Sequence, residues 1–479
     1  MKTTKSKFFY FIFIILVLFL LNLIYSNNLL SISKYVPNNL KNILKKTIFI
    51  VPNLKKKIVV RDKKIKELEI YQEKNYVIWK NIISKKNLDL ETDLIEEKKI
   101  LINNKEYIFK KFYLFSPDYY SWGQKAVSYI ESYEDKYLIV TGDGNFYYFD
   151  KNNIKFNADQ TPIEFKKIRS DLNDFLFNEI KIKGKSSIKD IFVDGDDIYI
   201  SHSNLKKENC YNIEILKSKI NFEFSYFENF FTYDECIIPK NLHSSGGRIE
   251  EYKDDKLLFS IGEGLVRELA QNKESIFGKI ISIDKKSRDY KIISMGHRNP
   301  QGLFYDIKKD LILSTEHGPS GGDEINIIKT SDLDVPNYGW PISSYGNHYR
   351  GVIDRSKRLG IYDELLEVAP LHKSHKNFGY IEPIKYFTPS IGISEITKIE
   401  NLQNDKDLNQ FYLLASMGSR LSEGDKSLHY FQLDKKNKIT NLKVLAINER
   451  VRDLFYDKEK KNILMILENT PALGIINIK

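Results

Sequence analysis

Six copies of one short pattern predict an all-β chain folded as a six-bladed β-propeller. Each copy is a polar turn of Asp, Asn or Lys, then an apolar run, then a small or polar residue. They fall at 134–142 (EDKYLIVTG), 195–202 (GDDIYISH), 254–262 (DDKLLFSIG), 308–316 (KKDLILSTE), 409–417 (NQFYLLASM) and 460–468 (KKNILMILE). A turn-plus-strand unit returning every roughly 50–60 residues reads as one propeller blade per copy. The gap of about 100 residues between the fourth and fifth copies requires an insertion there. A β-sandwich with long loops accommodates so many strands less well. Composition agrees with a large core: 479 residues, 42% hydrophobic, with 30 Tyr and 29 Phe, exclude a wholly solvated coil.

The N-terminus places the propeller. Lys2, Lys5 and Lys7 precede an apolar run over 8–25 that only Asn22 interrupts. At 1.5 Å per residue this run reaches ~27 Å, close to the hydrocarbon thickness of a bilayer. Lysines in front of it leave the N-terminus in the cytoplasm. An uncleaved anchor is favoured over a cleaved signal peptide, because no A-x-A pattern follows and the run is long for an h-region. The expected order is therefore a cytoplasmic N-terminus (1–7), a transmembrane signal-anchor (8–25), a lysine-rich stalk or accessory segment (26–118) and the propeller (119–479), exported to the periplasmic or extracytoplasmic side. Two cysteines, Cys210 and Cys236, lie in the exported part. An oxidising compartment permits a disulfide between them, and two unrelated buried thiols are the alternative.

Charge excludes one class of partner. The formal net charge is +10, yet only 12 of the 74 basic residues are Arg, and the lysines are spread along the whole chain. Nucleic-acid sites concentrate Arg and Lys on one face, so a nucleic-acid function is not expected. A nicotinamide fingerprint is also missing, since the Gly-rich segments lie between strands and not at a strand–helix turn.

The unusual residues gather between 243 and 341. HSSGGR (243–248) enters the third repeat, and its glycines allow positive φ or close backbone approach. His243 has the ordinary pKa of a base working near neutrality, although a hydrogen-bonded loop histidine is the plainer reading of it alone. GHRNPQG (296–302) sets a cation and an amide in a rigid loop suited to an oxyanion or carboxylate. EHGPSGGDEIN (316–326) and NYGWP (337–341) expose carbonyls and add Asp323 and Glu324. Such oxygen donors suit Ca²⁺, with a capped turn as the alternative for the two acids.

Taken together, GHRNPQG, EHGPSGGDEIN and NYGWP in this order resemble the PQQ-dependent glucose/sorbosone dehydrogenase family, six-bladed propellers that include soluble glucose dehydrogenases and aldose sugar dehydrogenases. The resemblance runs from about Ile188 to Lys479. It implies that His243 is the catalytic base taking the proton of a sugar's anomeric hydroxyl as hydride passes to PQQ. It implies Arg298 as the residue stabilising charge on the quinone oxygen, with Asn299 beside it. Gly318 and Pro319 match the carbonyl pair that holds the cofactor's Ca²⁺, while Glu324 and Tyr338 match a second, structural Ca²⁺ site. Arg450 and Arg452 match a cationic pair facing the cofactor, whose three carboxylates require cations.

The sequence also departs from that family. The acid supporting the histidine, usually Asp, is Glu263 in Ile261-Gly262-Glu263. Leu242 replaces an acid before the histidine. The lysine expected near Gly418 is missing, with Arg420 the only cation close by, and the cofactor-contacting glutamine expected near 186–190 is missing too. The expected function is an exported, PQQ- and Ca²⁺-dependent oxidoreductase acting on an aldose, related sugar or polyol, with electrons leaving to an external quinone or cytochrome. The alternatives are a non-catalytic propeller binding a glycan or protein at the cell surface, and a lactonase needing Ca²⁺ without PQQ.

Overall fold

All six sequence repeats become the second strand of a blade. In the computed structural model these are Lys136–Thr141, Asp197–Lys207, Lys256–Ile261, Leu311–Glu316, Phe411–Ser416 and Asn462–Leu467. The structure describes residues 90–102, 105–114, 127–142, 144–156, 159–176, 188–207, 210–238, 244–330, 334–399, 411–418 and 425–479. The second strands are almost wholly buried on both faces, because each blade is sandwiched between two others. That burial explains runs as apolar as Ile463–Leu467, where a half-exposed strand would alternate.

The inner strands are Ser128–Tyr133, Ile188–Asp194, Gly246–Tyr252, Pro300–Asp306, Ile393–Ile399 and Val451–Asp457. Each packs against the next, and the sixth packs against the first, closing the ring. Apolar clusters fill the spaces between blades; one joins Leu138 and Val140 of blade one to Ile198 and Ile200 of blade two. The insertion demanded between the fourth and fifth repeats lies in blade four, between Asp323–Lys329 and Lys385–Phe387, and carries helices Arg350–Leu359 and Tyr362–Val368.

One boundary is corrected. The propeller does not begin at 119: Asn87–Lys479 is one unit. Leu90–Thr92 pairs with Ile163–Ser170 at the outer edge of blade one. Lys105–Tyr113 pairs antiparallel with Ala472–Asn477, and Leu94–Ile102 extends that sheet. Blade six has three strands from the C-terminal end, so an N-terminal strand completes it and joins the two ends of the ring. The lysine-rich surface of 94–113 masked this role in the sequence, since Lys98 pairs with Glu96 along its strand, Lys99 with Glu106 and Lys111 with Glu96 across to the neighbouring strand, and Lys111 also with Glu449. The cytoplasmic N-terminus, the anchor and most of the stalk lie outside the described residues. Among the described residues no helix is long and apolar enough to cross a membrane.

Cys210 and Cys236 form a disulfide, with Cα atoms 5.4 Å apart. It ties the start of the third strand of blade two to the segment after its fourth, where Tyr211 and Ile237 also bridge. Closing a loop of that size is worth roughly 3 kcal/mol.

The ring's axis is filled by ions. Arg248 Nη1 lies 2.9 Å from Asp190 Oδ1, 2.6 Å from Asp453 Oδ1 and 2.9 Å from Glu395 Oε2, joining the inner strands of blades two, three, five and six. Its guanidinium stacks over Tyr129 of blade one at 5.1 Å, and its Nε donates to the Gln301 carbonyl of blade four. One cation therefore touches all six blades. Burial, with Arg248 opposing, pushes Asp190 up to about 7 and Glu395 up to about 8. Burial also holds Glu131 and Glu250 well above the usual carboxylate range.

Candidate active site

The motifs that stand apart in sequence are stitched together at the ends of blades three and four. Gly246 N–H donates to Asn299 Oδ1 (3.1 Å), Gly264 N–H to the Ser244 carbonyl (2.9 Å) and Glu263 N–H to the Arg298 carbonyl (2.9 Å). NYGWP is zipped onto GHRNPQG by Tyr338 N–H to the Met295 carbonyl and Trp340 N–H to the Gly296 carbonyl. This explains Gly296: at φ +76° a Cβ there would stand 2.1 Å from Asn337 Oδ1 and 2.7 Å from Gly339 N.

Arg298 is the centre of the arrangement. Its Nη1 donates to the His317 carbonyl (2.9 Å), and its guanidinium lies over the Trp340 ring at 5.4 Å. Its backbone N–H donates to Glu316 Oε2 (2.8 Å). Burial opposes ionisation of Glu316, but His297, with Nδ1 3.3 Å away, and that backbone N–H outweigh it and hold the carboxyl below its usual range. Glu263 is 1% exposed, and burial raises its pKa while Arg298 and Arg267 pull the other way. Among the described residues Glu263 Oε2, Trp340 Nε1 and His317 Nε2 are buried near Arg298 without a well-aligned hydrogen bond, although the Trp340 indole lies close enough to the Glu263 carboxyl to favour its charged form. Burial also pushes the His317 imidazole down to about 4, so it stays neutral there.

The second group of cations is already engaged. Glu468 bridges Arg450 Nε (3.1 Å) and Arg452 Nε (2.5 Å). Arg450 Nη1 further donates to the carbonyls of Met417 (2.6 Å) and Gly418 (3.2 Å), so the position lacking the expected lysine supplies an acceptor instead. Arg452 Nη1 reaches Gln301 Oε1 (3.3 Å), and Gln301 Nε2 donates to Asn299 Oδ1 (3.1 Å). Glu468 and Gln301, which join the two arginine groups, escaped the sequence reading. Glu468 ends the sixth repeat and so reads as a blade residue, and with Glu449, Asp453, Asp457 and Glu459 all nearer to Arg450 and Arg452 nothing in the sequence singles it out.

The loop expected to hold calcium divides in two. Asp323 is a turn clamp: Oδ1 accepts from Gly318 N–H, and Oδ2 accepts from the N–H groups of Ile391, Gly392 and Ile393. It fixes Gly318 and Pro319. The Gly318 carbonyl accepts none of the hydrogen bonds made among the described residues, and the Pro319 carbonyl receives only Ser390 Oγ at 3.3 Å. Two carbonyls so little used fit a hard cation. Glu324 and Tyr338 do not. The imidazole of His375 stands between them, with Nδ1 2.9 Å from the Tyr338 carbonyl and Nε2 3.2 Å from Glu324 Oε1. Among the described residues no cluster of His, Cys, Asp and Glu is arranged for a metal. His243 and Arg420 lie outside the described residues. A cavity of about 500 Å³ at the rim, lined by Glu106, Phe156 and Lys479, involves none of these motifs.

The chain is a six-bladed propeller in which residues of blades three, four and six meet through Asn299, Gln301 and Arg452 beside Arg298. Residues 177–473 match the Glucose / Sorbosone dehydrogenase family model, more than half of the chain, and the chain belongs to that family. It is 29% identical over 233 residues to an uncharacterised protein of Synechocystis, covering 44% of this chain and 50% of that one. It is 33% identical over 119 residues to the aldose sugar dehydrogenase YliI of Escherichia coli (22% and 31% of the two chains), and 28% identical over 134 residues to quinoprotein glucose dehydrogenase B of Acinetobacter calcoaceticus (22% and 27%). The matched stretches thus span half or less of these relatives. Among solved structures, a glucose dehydrogenase superposes with TM-score 0.57 at 16% identity (73% and 96% of the chains). The PQQ-bound aldose sugar dehydrogenase of Streptomyces coelicolor gives 0.50 at 15% (77% and 98%). At these identities the structures show the shared fold.

Proposed function

We propose that this chain is an exported, membrane-anchored quinoprotein that oxidises an aldose or related sugar or polyol and passes electrons to an external quinone or cytochrome. The observation that carries the reading is the arrangement around Arg298, where a half-buried guanidinium lies beside Glu263, Trp340 and His317, whose buried polar atoms lack a well-aligned partner among the described residues. Buried polar atoms are rarely left unpaired, and each costs about 1–3 kcal/mol unless a ligand satisfies it. Two of the curated relatives are named as sugar dehydrogenases, one of them a quinoprotein. The disulfide fits an oxidising compartment.

PQQ, when bound beside Ca²⁺, would supply the hydride acceptor and the polarising Lewis acid. The chain's own residues do the rest. Arg298, Asn299 and Arg452 would hold the cofactor's oxygens, and the Gly318 and Pro319 carbonyls would hold Ca²⁺. Gly264 N–H donates to the Ser244 carbonyl, which fixes Ser244 beside the turn that carries Glu263. His243 would remove the proton from the sugar hydroxyl, with Glu263 orienting its ring. Trp340 shields the Arg298 guanidinium from water, which strengthens its hold on developing negative charge.

A second reading has its own observation. Arg450 spends its donors on Glu468, Met417 and Gly418, and the lysine is missing, so the pocket grips an anion less well than the motifs alone suggest. That favours a propeller binding a glycan or protein without catalysis. Titration of the full chain with PQQ, with and without Ca²⁺, separates the two. Saturable, Ca²⁺-dependent binding supports the dehydrogenase, and a folded protein that leaves PQQ free in solution refutes it.

A further inference from the structure

We propose that this chain has replaced a structural calcium ion with an internal side chain: His375 fills the position between Glu324 and the Tyr338 carbonyl. The inference does not depend on sugar oxidation. Ca²⁺ collects six to eight oxygens at about 2.3–2.6 Å. Here the two oxygens in question face opposite nitrogens of one ring, at 2.9 and 3.2 Å, so the space between them is already filled by the imidazole.

The remaining ligand capacity is also taken. Glu324 Oε2 accepts from Asn326 Nδ2 (3.3 Å), which donates as well to Glu316 Oε1 (2.9 Å). His375 is 1% exposed and its ring stacks on Tyr345 (5.4 Å, 24°). Tyr345 in turn stacks on Tyr386 and donates to Glu382 Oε2 (2.7 Å), while Glu382 Oε1 accepts from Lys376 N–H (2.8 Å). A buried ring stacked on Tyr345, anchored through Nδ1 to the Tyr338 carbonyl and with Nε2 turned to Glu324, occupies the space an ion would need.

His375 reaches this place through the blade-four insertion, between helix Tyr362–Val368 and strand Lys385–Phe387. The insertion is therefore docked on the floor of the site. From His375 the contacts run through Glu324, Asn326 and Glu316 to the backbone of Arg298. Where an ion would cross-link Glu324 to Tyr338, an imidazole does so and also brings in the insertion.

The test is the calcium content of the full chain without PQQ, measured by elemental analysis after equilibration with Ca²⁺ and removal of free ion. The wild type is expected to hold at most one ion per chain, and His375→Ala to hold one more than the wild type. Two ions in the wild type overturn the proposal, as does a folded His375→Ala protein that gains none. If His375→Ala does not fold, Glu324→Gln decides: an unchanged count supports the replacement, and loss of one ion overturns it.

Discussion

The axis of the ring and the site around Arg298 are built from the same parts and behave in opposite ways. At the axis, Arg248 is 3% exposed and three carboxylates lie within 3 Å of one nitrogen. Around Arg298, among the described residues, the guanidinium makes one hydrogen bond, and the acid, indole and imidazole beside it leave atoms without a well-aligned partner. A saturated guanidinium holds strands together; an unsaturated one waits for a ligand. Charge type alone does not separate structure from function here, but the count of unmet hydrogen bonds does.

Four substitutions or conditions test that contrast. The largest effect belongs to the axis. Arg248→Met leaves several buried acids without their cation and is expected to destabilise the fold by about 3–5 kcal/mol, read from urea or thermal unfolding. A loss below 1 kcal/mol would show that the axis is not the clamp described. Next comes Arg298→Ala, expected to change stability by no more than about 1 kcal/mol while weakening PQQ binding by roughly 10- to 100-fold, the worth of one charge-assisted hydrogen bond. Equal PQQ affinity in the variant and the wild type would remove Arg298 from the cofactor site.

The third effect is pH. Asp190 and Glu395 are raised in the folded protein to about 7 and about 8, against ordinary values near 4 in the unfolded chain. Between those values the folded state binds protons that the unfolded state has released, so stability falls as pH rises. The melting temperature should drop from about pH 5 to about pH 9, with a loss on the order of 1 kcal/mol or more per raised group. Glu395→Gln should flatten the slope, and a slope unchanged by that substitution would assign the titration elsewhere. The smallest effect is Glu263→Asp, which restores the shorter acid of the resembled family. It is expected to alter turnover by no more than about tenfold with little change in KM; a change in KM alone would make Glu263 a binding residue.

Much of this was legible in sequence, and the reason differs from place to place. The six blades could be read because a strand packed between two neighbours needs an apolar run, and six such runs follow polar turns. The motif residues could be grouped because Gly296, Gly246 and Gly262 permit backbone contacts that larger residues would block. The closing strand at 105–113 was hidden by its lysines, which satisfy themselves against glutamates across the sheet. Asp323 looked like a metal ligand because an acid in a Gly-rich loop has two uses, and only the four backbone N–H groups converging on it decide between them.

The amino-acid order by itself determined the number of blades, the position of the insertion and the loops that carry the chemistry, since these follow from local patterns of polarity and backbone freedom. The tertiary structure decided which charges meet. Glu468 on Arg450 and Arg452, Arg248 among acids of three other blades, and His375 between Glu324 and Tyr338 all join residues that closure of the ring, or docking of an insertion, brings together. No periodicity encodes those pairings, because their energies depend on burial and distance, and both exist only after the chain has folded.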